Sequence, residues 1–211
     1  MAPATGRSYR FSARRQVPAY RRQAASSFRS GQRLGMTVRW ERGLVSIMRA
    51  WVYKVNSRGQ GGVRDWHFDQ YFRYRGRQRF QMGGAERIRS PSSWVCLRRV
   101  RAGDLFFCYQ SDERKIYGLA RASGPGYESL PGSGRHDSID FRPGGLRLKN
   151  PVGVGHPQAR EVFRHVRAFT VPSRGTIHAV ATDELRAVLR QLVAFNPDQR
   201  QVILRFAKSR P

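Results

Sequence analysis

Residues 103–120, GDLFFCYQSDERKIYGLA, constrain the fold more than any other stretch, because they encode two strands joined by a short polar turn. Leu105 to Tyr109 is an unbroken apolar and aromatic run, bounded by Gly103-Asp104 on one side and Gln110-Ser111-Asp112 on the other. Such a run has no polar face to turn to water, so it predicts a strand covered on both sides. Alternation puts Leu105, Phe107 and Tyr109 on one face and Phe106 and Cys108 on the other, so the strand divides two apolar environments. Ile116 to Ala120 is the expected antiparallel partner. Gly118 falls in its middle, where a glycine marks close approach of another backbone or of a ligand. Upstream, Trp94 follows Pro91-Ser92-Ser93 and reads as a loop tryptophan, which is costly unless the indole packs or stacks on something.

The remaining pattern is that of a mixed domain. Arg49 to Val55 alternates Trp51, Tyr53 and Val55 with Val52 and Lys54, as an opening strand should, and Asn56 to Gly62 is a polar, Gly-rich loop. Trp66 to Phe72 is rich in rings, and six arginines follow by Arg89 (73, 75, 77, 79, 87 and 89). This mixture has two readings, a surface that tracks a nucleic-acid strand or an amphipathic insertion packed on the body of the domain. Gly124 to Gly145 is a Gly-, Pro- and Ser-rich surface loop able to close over a site, with short strands expected at Ile139–Phe141 and Leu146–Leu148. Arg160 to Thr170 is a strand or a short helix. The C-terminal helix is clearest: Thr182 as N-cap, Asp183 and Glu184 in the first turn, then Leu185, Val188, Leu189, Leu192 and Val193 at helical spacing. Asn196-Pro197-Asp198-Gln199 starts a further turn or helix through Phe206.

Charge narrows the partners. The 211 residues hold 40 Lys and Arg against 14 Asp and Glu, a net charge of +26, and such a surface repels itself unless a polyanion is near. Nucleic acid is the commonest such partner. Only four of the basic residues are lysines, a bias that GC-rich coding produces with or without a partner. Eleven basic residues precede Ala50 against one acidic residue, Glu41, and residues 1–47 read as a basic, disordered tail ahead of a domain spanning 48–211. The tail is a nucleic-acid-gripping arm, an Arg-rich targeting peptide, or the product of a start called too early, with Met48 or Met36 as the native initiator. Cys96 and Cys108 have apolar neighbours and read as reduced thiols in a cytoplasmic protein. No apolar run approaches the ~20 residues of a membrane span, so no membrane is expected. No spacing speaks to oligomeric state.

Taken together, WVYKVN (51–56), Trp94, GDLFFCYQS, IYGLA and Gly126-Tyr127-Glu128 resemble, in order and spacing, the EVE domain family of the PUA-like superfamily, which is related to YTH domains. A weaker likeness continues through LRLKNPV and VRAFTVPSRGTIHAVATDEL. The resemblance implies an α+β fold, a PUA-like mixed β-barrel with peripheral helices, and a reader module that holds a modified base of DNA or RNA in an aromatic pocket. It implies a pocket made of Trp94, Lys54 and Asn56, with Tyr109 lining the cavity and Ser92 and Ser93 beside the indole. Arg98, Arg99 and Arg101 are the expected phosphate contacts at its mouth. Rings suit the task because every base has a π-face, and an amide both donates and accepts. Two positions depart from the pattern: Val55-Asn56-Ser57 replaces the acidic residue and proline common after the strand lysine, and Tyr127 stands where YTH domains carry a second cage tryptophan.

Catalytic chemistry is sparse. The five histidines fall in unrelated segments without an i, i+4 pair, and no Cys or carboxylate stands at metal spacing, so no cofactor is expected. Asp112-Glu113 and Asp183-Glu184 read as solvated pairs in a hairpin loop and a helix's first turn. A PUA-like ribonuclease of the ASCH type, using Lys54, Arg98 and Tyr109, is the alternative, and it rests on fold analogy.

Overall fold

The apolar run becomes the middle of a sheet. The computed structural model describes residues 49–56, 67–73, 80–81, 91–128, 131–132, 134, 138–170 and 177–209, which lie in one compact unit, Glu41–Pro211. In chain order its elements are β1 (Ala50–Val55), α1 (Phe68–Arg73), β2 (Phe80–Gln81), α2 (Pro91–Arg99), β3 (Leu105–Gln110), β4 (Lys115–Arg121), β5 (Asp140–Phe141), β6 (Leu146–Gly153), α3 (Pro157–Phe163), α4 (Arg167–Thr170), β7 (Ile177–Val180), α5 (Thr182–Phe195), a 3₁₀ turn (Pro197–Gln199) and α6 (Arg200–Lys208). Five strands form a mixed sheet in the order β6-β4-β3-β1-β7, and β2 pairs with β5 separately. Every residue of β3 is buried, as its composition requires. β1 runs parallel to β3, so a crossover must join them; the intervening chain carries α1 and α2.

Two layers follow from the alternation. Residues facing each other across strands share a face, so Trp51, Tyr53, Phe106, Cys108 and Ala120 form one surface. It packs against Phe68 and Tyr71 of α1, Leu97 of α2, Val100 just after it, and Phe141 of β5. Phe106 and Phe141 meet edge to face at 4.9 Å. On the other face Tyr109 meets Phe169 of α4 at 5.1 Å. There too Arg121 donates to the Gly103 carbonyl and, through Nη2, to Phe206 and Ala207 at the C-terminal end of α6, where a cation suits the helix dipole.

A bulge re-aims one ring. Cys108 pairs with Gly118 but Tyr109 pairs with Ile116, so Tyr117 has no cross-strand partner and turns into the first layer. Gly118 is required beside it: a Cβ there would lie 2.2 Å from the Leu146 carbonyl oxygen and 2.4 Å from the Phe72 ring.

Several expectations change. The sheet does not close into a barrel among the described residues, with β6 and β7 at its two edges, so the fold is mixed α+β. Trp94 lies on α2 rather than on a loop. Pro91 is the first helical residue, where its missing N–H is harmless, and Leu97 is buried against the sheet. The segment after Trp66 is packed, since Phe68 and Tyr71 are buried in the core; Trp66 itself and the arginines from 75 to 89 lie outside the described residues, as do residues 1–47 and parts of the 124–145 loop. Arg160 to Thr170 divides between α3 and α4, and β6 extends past Leu148 through Pro151, which an edge strand tolerates. The N-cap of α5 is Ala181, not Thr182, because Glu184 at the third helical position reaches back to the Ala181 N–H at 2.9 Å.

Candidate nucleic-acid interface

Parallel pairing brings the C-terminal ends of β1 and β3 together, and with them Lys54-Val55-Asn56 and Gln110-Ser111. The Ser111 backbone N–H and hydroxyl both donate to the Val55 carbonyl, at 2.7 and 2.8 Å, which locks the two strand ends side by side. Lys54 is half-buried, and burial pulls its ammonium pKa below the ordinary range. Asn56, just past the strand, is exposed. Tyr109 is the register partner of Lys54. Burial raises its phenol pKa, and Arg114, which bonds to it, works in the opposite direction.

α2 lies on the first layer and packs against β7. The Arg99 carbonyl accepts from Arg49, at the start of β1, and Cys96 bonds to the backbone of Ala179, the register partner of Trp51. Ser92, Ser93 and Trp94 lie in the first turn of α2, and Asn56 lies just past β1. Lys54 and Tyr109 face the opposite side of the sheet, where the Tyr109 ring is packed on Phe169. Arg98, the third member of the hydrolase alternative, sits on the first layer and bonds to Gly134, so the sheet lies between it and the other two.

The C-terminal end of α2 carries the basic residues. Arg98, Arg99 and Arg101 are exposed. Arg98 donates to the Gly134 carbonyl at 2.8 Å, and Arg101 to the Arg98 and Val100 carbonyls at 3.0 Å each. A guanidinium has five N–H donors, so these bonds orient the groups and leave donors for phosphate oxygens. Beneath them, buried Asp104 accepts from the Trp51 indole N–H and the Arg101 backbone N–H, both at 2.9 Å, which ties β1 to the end of α2.

Two features were not anticipated. Glu113, read as solvated, is the centre of a cluster in the β3–β4 turn: His67 Nε2 lies 2.8 Å from its Oε1, and Tyr117 donates to its Oε2. His67 Nδ1 accepts from the Asp69 N–H, so the ring proton is on Nε2, facing the carboxylate. The Tyr117 hydroxyl, then His67 and Lys115, hold the Glu113 pKa below its ordinary value against the effect of burial. The second is Gln110, a wholly buried amide that ends the apolar run; its type and place after five apolar residues were visible, its burial was not. Both cysteines are free, Cys108 buried and Cys96 half-buried, and burial raises both thiol pKa values. Among the described residues no group of His, Cys, Asp and Glu is placed to hold a metal, and no helix is long and apolar enough to cross a membrane.

Solved structures share this arrangement of strands and helices. One from Rhodopseudomonas palustris has 22% sequence identity and a TM-score of 0.54, covering 68% of this chain and 92% of that one. One from Agrobacterium tumefaciens has 18% identity and a TM-score of 0.52 over the same shares. Human thymocyte nuclear protein 1, solved in complex with 5-methylcytosine-containing DNA, has 16% identity and a TM-score of 0.50, covering 68% of this chain and 97% of that one. At these identities the likeness establishes the fold. No protein-family model matches the sequence, and no curated protein does.

Proposed function

We propose that this protein is a nucleic-acid-binding reader module that holds one modified base of DNA or RNA at the ends of β1 and β3, with Arg98, Arg99 and Arg101 on the flanking phosphates. The observation that carries the reading is the cluster of oriented, exposed arginines at the end of α2, on a chain of net charge +26 that shares its fold with a domain solved on methylated DNA. Trp94, on the first turn of α2, supplies the stacking ring, and Ser92, Ser93 and Asn56 read the base edge. Lys54 and Tyr109, on the far face, brace the strand end that presents Asn56. Phosphate contacts supply affinity without selectivity, and the pocket supplies selectivity.

Binding of oligonucleotides with and without a modified base, measured at two salt concentrations, tests this. The proposal expects steep loss of affinity with salt and a preference for the modified base that survives the change in salt. Equal affinity for modified and plain strands would contradict it. Release of labelled fragments by the wild type, abolished in Lys54→Ala, would favour the hydrolase alternative instead.

A further inference from the structure

We infer that Arg49 is a further phosphate contact, and that with Arg98, Arg99 and Arg101 it grips a strand well away from the read base, so the ligand is an extended oligonucleotide rather than a nucleotide. This deepens the reader function proposed above and rests on it. Arg49 stands just before β1, and its carbonyl accepts from the Leu105 N–H at 3.1 Å, so it lies where β1 and β3 both begin. Its side chain is 51% exposed. Nη1 donates to the Arg99 carbonyl at 3.0 Å and Nε lies 3.5 Å from Asp104 Oδ1, which fixes the guanidinium beside the end of α2. Among the described residues Nη2 meets no acceptor, so its N–H groups remain for a ligand.

Charge is out of balance at this end of the sheet. Among the described residues Asp104 is the one carboxylate within ion-pair distance of the four guanidinium groups, and its Oδ2 is already engaged by Trp51 and the Arg101 amide. An anion relieves the repulsion among the remaining cations, and phosphate oxygens suit the planar fork of a guanidinium. Register then sets how far the patch lies from the base. Asn56, which reads the base edge in the proposed function, follows β1 at its other end, and β1 is paired to β3 along its whole length, so the separation is fixed. From residue 49 to residue 56, at ~3.3 Å per residue, the strand spans about 20 Å. A stacked nucleic-acid strand rises ~3.4 Å per nucleotide, so the patch meets phosphates about six nucleotides from the base. A mononucleotide, or a base with only a short flank, stops before reaching it.

Affinities are measured by fluorescence anisotropy on the full chain across a range of salt. The probes are single strands with one central 5-methylcytosine or cytosine, flanked on each side by a short arm of about two nucleotides or a long arm of about twelve, chosen to fall short of the patch or to pass it. On the long strand Arg49→Gln is expected to lower the slope of log affinity against log salt by about 0.7, the share of one phosphate of a single strand, whereas Arg49→Lys keeps the charge and the wild-type slope. On the short strand all three proteins are expected to share one slope. The preference for 5-methylcytosine over cytosine is expected to match the wild type throughout, because the base is read at the other end of β1. If Arg49 served only as the counter-charge of Asp104, its replacement would move the melting temperature and leave the slope alone. Arg49→Gln with the wild-type slope on the long strand therefore overturns this inference. So does an equal loss of slope on the short strand, which would put the patch beside the base. In both cases a retained preference for 5-methylcytosine leaves the reader function standing. If long strands with 5-methylcytosine and with cytosine bind alike to the wild type and to Trp94→Ala, the reader function falls and this inference with it.

Discussion

Asp104 gathers three segments on one carboxylate, and its removal has a magnitude that the structure sets. Oδ2 accepts from Trp51 Nε1 and from the Arg101 amide, and Oδ1 lies 3.5 Å from Arg49 Nε. Trp51 is 3% exposed, so its indole N–H has no water to turn to once the acceptor is gone. Asp104→Ala should therefore cost about 1–3 kcal/mol for the stranded indole donor and about 1 kcal/mol for the half-buried Arg101 amide. The Arg49 pair adds little, because that side chain is 51% exposed. The sum, about 2–4 kcal/mol, corresponds to a fall in Tm of roughly 5–15 °C for a unit of this size. Asp104→Asn keeps a carbonyl oxygen where both donors meet it and should lose only about 1 kcal/mol, the charge-assisted share. Thermal melts followed by circular dichroism compare the two. An alanine variant that melts with the asparagine variant would refute the claim that this carboxylate pins β1 to the end of α2.

Gly118→Ala places a methyl 2.2 Å from the Leu146 carbonyl oxygen, which a backbone atom cannot yield cheaply, and should destabilise by about 1–3 kcal/mol or more in urea unfolding. Acid should release the His67–Glu113–Tyr117 cluster. The Glu113 pKa is lower folded than its ordinary 4.5, so the folded chain binds fewer protons in this range; its contribution is complete above 4.5 and disappears as the pH falls through the lowered folded value. In Glu113→Gln that acid-dependent share of the stability curve should be missing, which urea midpoints measured from pH 6 to pH 3 would show. Replacing Arg98, Arg99 and Arg101 by Gln should reduce the slope of log affinity against log salt by about 1 for each phosphate no longer neutralised, while the ratio of affinities for modified and plain strands stays as it was. An unchanged slope would remove these residues from the interface.

What the sequence made legible was what burial writes locally. A strand covered on both faces must be apolar throughout, and Leu105 to Tyr109 is; a helix covered on one side must repeat at three and four residues, and Leu185 to Leu192 does. α2 was harder, because Pro91-Ser92-Ser93 begins turns and helices alike, and from Val95 to Arg99 only Leu97 is fully buried. The Ala181 cap escaped notice because its polar group belongs to Glu184, three residues on. Of the expected site residues, Lys54, Asn56 and Tyr109 lie at the paired ends of β1 and β3 and Ser92, Ser93 and Trp94 on α2, and the sheet sets Lys54 and Tyr109 on the face away from that helix, since faces depend on register. The Trp51–Asp104 and His67–Glu113 pairs span 53 and 46 residues of sequence, and no local pattern encodes such partners. Tyr117 reaches Glu113 only because a bulge turns it.

The central claim is that an indole at the start of α2 stacks on a modified base, and Trp94→Ala tests it most directly. Affinities of the wild type and the variant for one strand with 5-methylcytosine and one with cytosine, at the same salt, form a closed comparison. The account predicts that the variant loses the preference for the modified strand, with affinity for it falling by about 5- to 150-fold, as about 1–3 kcal/mol of stacking implies, while binding to the plain strand persists through the arginines. Identical affinities for both strands in both proteins would contradict it.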